Sequence, residues 1–174
     1  MLLSKNIALV GFMTAGKTQV GERLSVRTGL PFRDVDRLVE EVAKAPVQRI
    51  FETLGEPWFR QIESRILSEL CAGSGQIIGC GGGTILRPEN RAVLRDRCVT
   101  FWLRVSVAYV RTRLEEPGTP QRPLMAGRDL DLLIPELLRQ REPLYAEADE
   151  VIETDGRTVD DVAEEIVARL GFTT

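Results

Sequence analysis

Short apolar segments alternate along the chain with longer segments in which apolar residues recur every three or four positions. Phe59, Ile62, Ile66 and Leu70 show the longer period, which places them on one face of a helix. A second such segment runs from 159 to 170. The short apolar segments predict five β-strands, at residues 6–10, 31–36, 76–81, 99–105 and 150–155.

The order of these elements predicts the class of fold. Strands that alternate with helices are typical of a parallel sheet with helices on both faces. Thr158 and Asp161 have the spacing of a capping box, which predicts where the last helix begins. The 174 residues suffice for one domain with a sizeable core. We therefore predict a single α/β domain over residues 1–174.

The loop after the first predicted strand has the pattern G-x-x-x-x-G-K-[ST] in the segment GFMTAGKT, residues 11–18. Such a loop surrounds phosphate oxygens with backbone N–H groups at the positive end of a helix. Lys17 would reach the β- and γ-phosphates, and the Thr18 hydroxyl would bind Mg²⁺. A glycine-rich turn with a solvent-exposed lysine is the alternative. The strand pattern before the loop and the helix pattern after it favour nucleotide binding.

Composition narrows the function further. The net charge of −3 offers no broad basic surface for nucleic acid, and no apolar run approaches the length that spans a membrane. The chain has no histidine, which excludes a Ser–His–Asp triad. Three scattered cysteines without metal-site spacing, and no export signal, indicate free thiols in a reducing cytoplasm. We expect a cytoplasmic monomer that binds small molecules, and neither nucleic acid nor a membrane.

Two carboxylates end the second predicted strand. Asp34 and Asp36 in the segment DVD would project from the carboxyl edge of the sheet, where open α/β folds bind ligands. Alternate residues of a strand point the same way, so both side chains could face one cleft. One carboxylate could hold Mg²⁺ through water and the other could orient or deprotonate a hydroxyl. Helix capping by these aspartates is an equally good interpretation.

Arginines and a glycine triplet supply further candidates. Arg60 and Arg141 are natural bidentate partners of a carboxylate or a phosphate. Arg60 with Glu63 could instead form an exposed ion pair, and Arg141 could be ordinary surface charge. The triplet 81–83 is poor for a regular strand and suits a ligand packed against bare backbone, although a flexible turn is the alternative. Residues 115–129, with three prolines and two glycines, form either a plain connection or a lid.

Taken together, these segments resemble the shikimate kinase family. The pattern of that family runs from a phosphate loop through D-x-D, F-x-x-x-G-E-x-x-F-R-x-x-E, G-G-G and R-P-L to R-x-P-L-Y. The chain shows GFMTAGKT, DVD, FETLGEPWFRQIE, CGGGT, QRPLMAG and REPLYAEAD in that order. The resemblance spans residues 6–170. It implies phosphorylation of the shikimate 3-hydroxyl by ATP, a step toward chorismate and the aromatic amino acids.

The resemblance also implies an architecture. The expected fold is a P-loop kinase of three α/β/α layers, with a five-stranded parallel sheet of strand order 2-3-1-4-5. A mobile lid would occupy about 115–129, and the part that binds shikimate would lie at about 34–63.

For the nucleotide, the resemblance implies that Lys17 and Thr18 serve ATP and Mg²⁺, with Asp34 near the metal. Arg122 would move from the lid onto the transferring phosphoryl group, and Arg113 and Arg157 would lie near the adenine. With the phosphate loop, the predicted nucleotide-binding residues are Gly11, Thr14, Ala15, Gly16, Lys17, Thr18, Gln19, Arg113, Arg122 and Arg157.

For the acceptor, the resemblance implies that Asp36 holds the hydroxyls of shikimate and takes the proton from the one that is phosphorylated. Arg60 and Arg141 would bind the substrate carboxylate, and the Gly82 backbone would lie beside the ring. The predicted substrate-binding residues are Asp36, Arg60, Gly81, Gly82, Gly83 and Arg141, and the predicted catalytic residues are Asp36, Lys17 and Arg122.

One departure from the family pattern and two other functions stay open. Thr14 stands where the family usually has glycine, and its side chain could narrow the approach to the β-phosphate or point to solvent. A gluconate-type or nucleoside-monophosphate kinase shares the fold and the phosphate loop but would not need Arg141 with the glycine triplet. A non-catalytic kinase-like module would be expected to have lost Lys17, Asp36 or Arg122, and all three are present.

Overall fold

Within residues 5–116 and 129–171, which the computed structural model describes, five parallel strands form one sheet in the order β2-β3-β1-β4-β5. This is the predicted strand order. All five residues of the central strand β1 are buried, because helices cover both faces of the sheet around it. The strands are β1 Asn6–Val10, β2 Phe32–Asp34, β3 Ile77–Gly79, β4 Cys98–Arg104 and β5 Glu150–Glu153.

Helices lie on both faces of the sheet. Right-handed crossovers put the helix between β1 and β2 on one face and the helices of the later connections on the other. The first and last helices, α1 and α8, pack together on the first face, whereas α4 and α5 pack together on the second. The helices are α1 Lys17–Thr28, α2 Val35–Ala43, α3 Val47–Thr53, α4 Gly55–Ala72, α5 Pro88–Arg97, α6 Val107–Glu115, α7 Leu130–Tyr145 and α8 Val159–Arg169.

The helix signals in the sequence are confirmed. In α4, Phe59 and Ile66 are buried, and Ile62 and Leu70 pack against the core. At the start of α8 the side chain of Thr158 accepts a hydrogen bond from the backbone of Asp161, and the Asp161 carboxylate accepts one from the Thr158 backbone.

The second strand is shorter than predicted. It ends at Asp34 instead of residue 36, because the Asp34 carboxylate accepts a hydrogen bond from the backbone N–H of Arg37 and caps α2. Asp36 therefore lies in the first turn of α2. The prediction that both aspartates face one cleft through strand alternation is wrong in its geometry, and the capping interpretation is correct for Asp34.

The sheet order places a crevice at the carboxyl end of β1. The chain leaves β1 toward β2 and β3 on one side and later reaches β4 and β5 on the other. Open α/β sheets bind ligands at such a reversal of strand order. Only Glu115, Glu116 and Asp129 of the predicted lid belong to the described residues, and Arg122 lies outside them. Among the described helices, none is long and apolar enough to cross a membrane.

Candidate active site

The phosphate loop, residues 11–18, connects β1 to α1 through two glycines in unusual conformations. Gly11 has φ 148°, and a side-chain carbon there would lie 2.5 Å from the carbonyl oxygen of Leu103 in β4. Gly16 has φ 81° and immediately precedes α1. Both positions therefore require glycine, and the loop directs the N-terminus of α1 into the crevice.

Lys17 folds back over this loop. Its Nζ donates hydrogen bonds to the carbonyl oxygens of Gly11 and Phe12, each at 2.8 Å. An ammonium group in this place puts one positive charge beside the loop N–H groups, which is the arrangement that receives phosphate oxygens.

Thr18 and Asp34 meet beside Lys17. The Thr18 hydroxyl donates a 2.7 Å hydrogen bond to Asp34 Oδ2. A hydroxyl and a carboxylate oxygen in contact are the hard oxygen ligands that Mg²⁺ prefers, and in kinase sites phosphates and water complete its coordination. These residues fit the predicted magnesium site.

A narrow cleft, which we call the nucleotide cleft, opens from the phosphate loop toward α6 and α8. Arg113 lies 5.7 Å from the centre of the Tyr109 ring. Arg157 is held by the Glu165 carboxylate and by the Asp161 carbonyl oxygen. The predicted nucleotide-binding residues that line this cleft are Thr14, Ala15, Gly16, Gln19, Arg113 and Arg157.

A second cleft, the acceptor cleft, holds the predicted substrate-binding residues. α2 contributes Asp36, α4 contributes Arg60, and α7 contributes Arg141. The glycine triplet after β3 and Met13 of the phosphate loop complete the wall. All six predicted residues line this one cleft: Asp36, Arg60, Gly81, Gly82, Gly83 and Arg141.

Arg60 is held in place by acids of its own helix. Its Nη1 donates to Glu63 at 2.9 Å and its Nε donates to Glu56 at 3.1 Å. Glu63 is fully buried and also accepts a 2.6 Å hydrogen bond from the Thr84 hydroxyl. Burial opposes the charge of Arg60, but Glu63 and Glu56 outweigh it and raise the pKa of the guanidinium above its usual value. The exposed-pair alternative for Arg60 and Glu63 is therefore wrong.

Arg141 is also buried, with 5 % of its surface exposed. Its guanidinium lies 5.6 Å from the centre of the Phe12 ring, and its Nη1 is 3.4 Å from the carbonyl oxygen of Gly82. The Tyr145 hydroxyl donates to that same oxygen at 2.6 Å. Burial raises the pKa of Tyr145 to about 12, so the phenol keeps its proton at neutral pH. Surface charge is thus the wrong interpretation of Arg141.

The structure explains, as the sequence did not, why glycine stands at residues 81 and 83. A side-chain carbon at Gly81 would lie 2.5 Å from Asp36 Oδ1, and one at Gly83 would lie 2.3 Å from Arg60 Nη2. Gly82 is less crowded, with its nearest neighbour, the Met13 backbone nitrogen, at 3.4 Å. Two of the three glycines therefore make room for Asp36 and Arg60, which the flexible-turn alternative does not explain.

Three residues that the sequence analysis did not assign to the site support the acceptor cleft. Glu63 fixes Arg60, Thr84 fixes Glu63, and Tyr145 fixes the Gly82 carbonyl. Glu63 and Tyr145 stand inside the motifs around Arg60 and Arg141, so their spacing was a usable signal. Thr84 follows the glycine triplet and has no local signature.

A larger cavity of about 550 Å³ lies between α5, β4 and the end of α7. None of the predicted site residues lines it. Four of its polar side chains already form pairs, Arg91 with Glu147 and Thr100 with Asp149. The residues that line the two smaller clefts therefore make them better candidates for the active site than the larger cavity.

Known proteins that are similar to this chain include shikimate kinases. A sequence model of the shikimate kinase family matches residues 13–171. A shikimate kinase of Symbiobacterium thermophilum is 42 % identical over 166 residues, which cover 95 % of each chain. The structure of a shikimate kinase from Acinetobacter baumannii in complex with shikimate superimposes with a TM-score of 0.90 at 34 % identity, covering 97 % of this chain and 94 % of that one.

A gluconokinase structure from Sinorhizobium meliloti is more distant. It has a TM-score of 0.62 at 14 % identity, covering 98 % of this chain and 94 % of that one. This likeness shows a shared fold only.

Proposed function

The chain belongs to the shikimate kinase family, and from that premise we propose how its own residues bind and phosphorylate shikimate. It is an ATP-dependent kinase that acts on a hydroxyl group. The proposed acceptor is the 3-hydroxyl, so the products are shikimate 3-phosphate and ADP. One observation carries the assignment of residues: all six predicted substrate-binding residues line one cleft beside the phosphate loop.

The substrate carboxylate is proposed to bind between Arg60 and Arg141. Each guanidinium has five N–H groups, and the contacts with Glu56 and Glu63 leave donors of Arg60 for a ligand. The contact of Arg141 with Gly82 is long, at 3.4 Å, so this group is also available. Arg141 is buried and the Arg60 side chain is only 11 % exposed. Two arginines with so little contact with water favour an anion over a neutral group, because charge-assisted hydrogen bonds are strong where water is excluded.

Asp36 is proposed to hold the reacting hydroxyl and to accept its proton. The carboxylate lies in the first turn of α2, where the helix dipole stabilises negative charge. It also lies against Gly81, on the wall of the cleft that holds both arginines. A substrate whose carboxylate is fixed at the arginines therefore presents its hydroxyls toward Asp36 and the phosphate loop. Positioning of this kind is the main requirement of phosphoryl transfer.

At the nucleotide end, the phosphate loop and Lys17 are proposed to bind the phosphates of ATP. Arg113 and Arg157 are proposed to flank the adenine in the nucleotide cleft. Thr18 and Asp34 are proposed to hold Mg²⁺, which when bound neutralises charge on the β- and γ-phosphates. Arg122 lies outside the described residues, and its action on the transferring phosphoryl group stays a prediction.

The remaining proposals concern the domain organisation, the oligomeric state and the location of the enzyme. We propose a single kinase domain that acts as a monomer in the cytoplasm, where its three buried free cysteines would stay reduced. A coupled assay of ADP release with shikimate, quinate and gluconate tests the function directly. ADP release with shikimate and with neither other compound supports the proposed function. ADP release with gluconate would favour a gluconate-type kinase, and no ADP release with any of the three would favour a non-catalytic module.

Removal of either arginine should weaken shikimate binding and leave ATP binding nearly unchanged. Arg60→Ala or Arg141→Ala deletes a charge-assisted contact, so we expect a loss of about 1.5–3 kcal/mol, or roughly 10- to 100-fold in Kd. Titration calorimetry with each ligand measures both affinities. Arg65→Ala is the matched control, because Arg65 also pairs with an acid of α4 but is exposed. Equal losses for ATP and shikimate would show that the arginines only support the structure.

Gly83→Ala should reproduce part of the Arg60 defect without removing a charge. The new methyl group would overlap the Arg60 guanidinium, and overpacking of this kind costs about 1–3 kcal/mol. We expect the KM for shikimate to rise about tenfold while the KM for ATP changes little. Gly73→Ala is the control, since its nearest neighbours are 3.6 Å away. If both variants behave alike, the close contact with Arg60 is unimportant.

A further inference from the structure

Thr14 has a backbone conformation that its residue type disfavours. Its φ is 65°, and among the described residues only Lys44 shares a positive φ without being glycine. The left-handed region brings the side chain against the backbone, and a β-branched residue there is a true outlier. Strain of this kind persists where the surrounding structure imposes it, and it concentrates at sites that bind ligands.

The side chain of Thr14 adds a second unfavourable feature. Its hydroxyl oxygen is inaccessible to water and has no hydrogen-bond partner among the residues in the described ranges. A buried hydroxyl without a partner loses its hydrogen bonds to water and gains none in return. The hydroxyl therefore does not point to solvent, although the residue as a whole is only partly buried.

Glycine, which the family pattern usually has here, would remove both features at once, because it tolerates positive φ and has no hydroxyl. Thr14 therefore makes the loop without ligand less stable than glycine would. Thr14 lies between the two loop glycines, and it lines the nucleotide cleft together with Gly16 and Gln19. Contact between the hydroxyl and a ligand in that cleft requires rotation about the Cα–Cβ bond.

We propose that the Thr14 hydroxyl donates a hydrogen bond to a phosphate oxygen of the bound nucleotide. The ligand then supplies the acceptor that the protein lacks, and the Thr14 hydroxyl joins the backbone N–H groups and Lys17 as a donor to the phosphates. The inference rests on the proposed nucleotide binding at this loop.

Titration calorimetry with Mg²⁺–ADP, in the absence of shikimate, tests the proposal. Thr14→Ser keeps the hydroxyl and should bind ADP within about twofold of the unmodified protein. Thr14→Val keeps the shape and Thr14→Ala reduces the strain, yet both lack the hydroxyl and should bind ADP about tenfold more weakly. Thr28→Val is the control, since that hydroxyl is already bonded to the Leu24 carbonyl oxygen at 2.7 Å.

Adenosine separates a phosphate contact from a general disturbance of the loop, because it lacks phosphates. Its affinity should be the same in the unmodified protein and in Thr14→Ala. ADP binding unchanged in both Thr14→Ala and Thr14→Val, or equal losses for adenosine and ADP, would overturn the inference. If the unmodified protein itself binds no ADP, the proposed function fails instead.

Discussion

Asp36→Asn is expected to lower the kcat for shikimate phosphorylation by about 10²-fold or more, the usual contribution of a positioned general base. The amide keeps the shape of the side chain in the first turn of α2 and can still contact the hydroxyls of shikimate. It cannot accept a proton in the same way. We therefore expect a loss in kcat that exceeds any rise in the KM for shikimate.

Asp160→Asn is the matched control for this variant. Asp160 is the second residue of α8, as Asp36 is of α2, and each follows a valine. Its carboxylate pairs with Arg23 and Arg27 at the surface, so its loss should change stability slightly and kcat not at all. If Asp36→Asn retains kcat within about twofold of the unmodified enzyme, Asp36 is not the base.

Lys17→Ala should have the other large effect, a fall in kcat of about 10²–10³-fold, comparable to removal of one preorganised donor from a charge-stabilising site. The ammonium group is fixed by the carbonyl oxygens of Gly11 and Phe12, so little reorganisation is needed when negative charge develops on the phosphates. Steady-state kinetics at saturating shikimate, with nucleotide affinity from calorimetry, measure the effect.

Lys5→Ala is the natural control, because the chain contains only the lysines Lys5, Lys17 and Lys44, and Lys5 contacts the Arg95 carbonyl oxygen at an exposed site. Its kinetics should match the unmodified enzyme. A Lys17→Ala enzyme that loses ATP affinity but keeps its kcat would mean that the lysine binds the nucleotide equally in the ground state and the transition state.

The spacing of apolar residues along the sequence and the order of the motifs predicted most of the fold. The five strands were predicted because a strand buried on both faces needs a run of apolar residues. The helices at Lys17, Phe59 and Thr158 were predicted because a helix that packs one face against the core needs apolar residues on that face. The residues of the two clefts were also found, because the motifs that contain them stand at loops and helix starts along the carboxyl edge of the sheet.

Side-chain competition explains what the sequence did not predict. At Asp34 the cap that the sequence left open as an alternative replaced two further residues of strand, and no apolar pattern decides between the two. The burial of Glu63 could not be foreseen either, because an acid three residues after an arginine is usually an exposed ion pair. Thr14 shows a third limit, since a positive φ at a residue other than glycine leaves no trace in composition or period.

If Arg60 and Arg141 bind the substrate as proposed, their guanidinium groups also determine which molecules the acceptor cleft rejects. Arginine does not lose its charge in proteins, so Arg60 and Arg141 stay cationic whatever enters. A neutral sugar or polyol would displace water from both groups and offer no anion in exchange, and sites that leave buried polar groups unmatched reject such molecules strongly. We therefore expect hydroxyl compounds without a carboxylate to be poor acceptors, so that little ATP would be consumed on them.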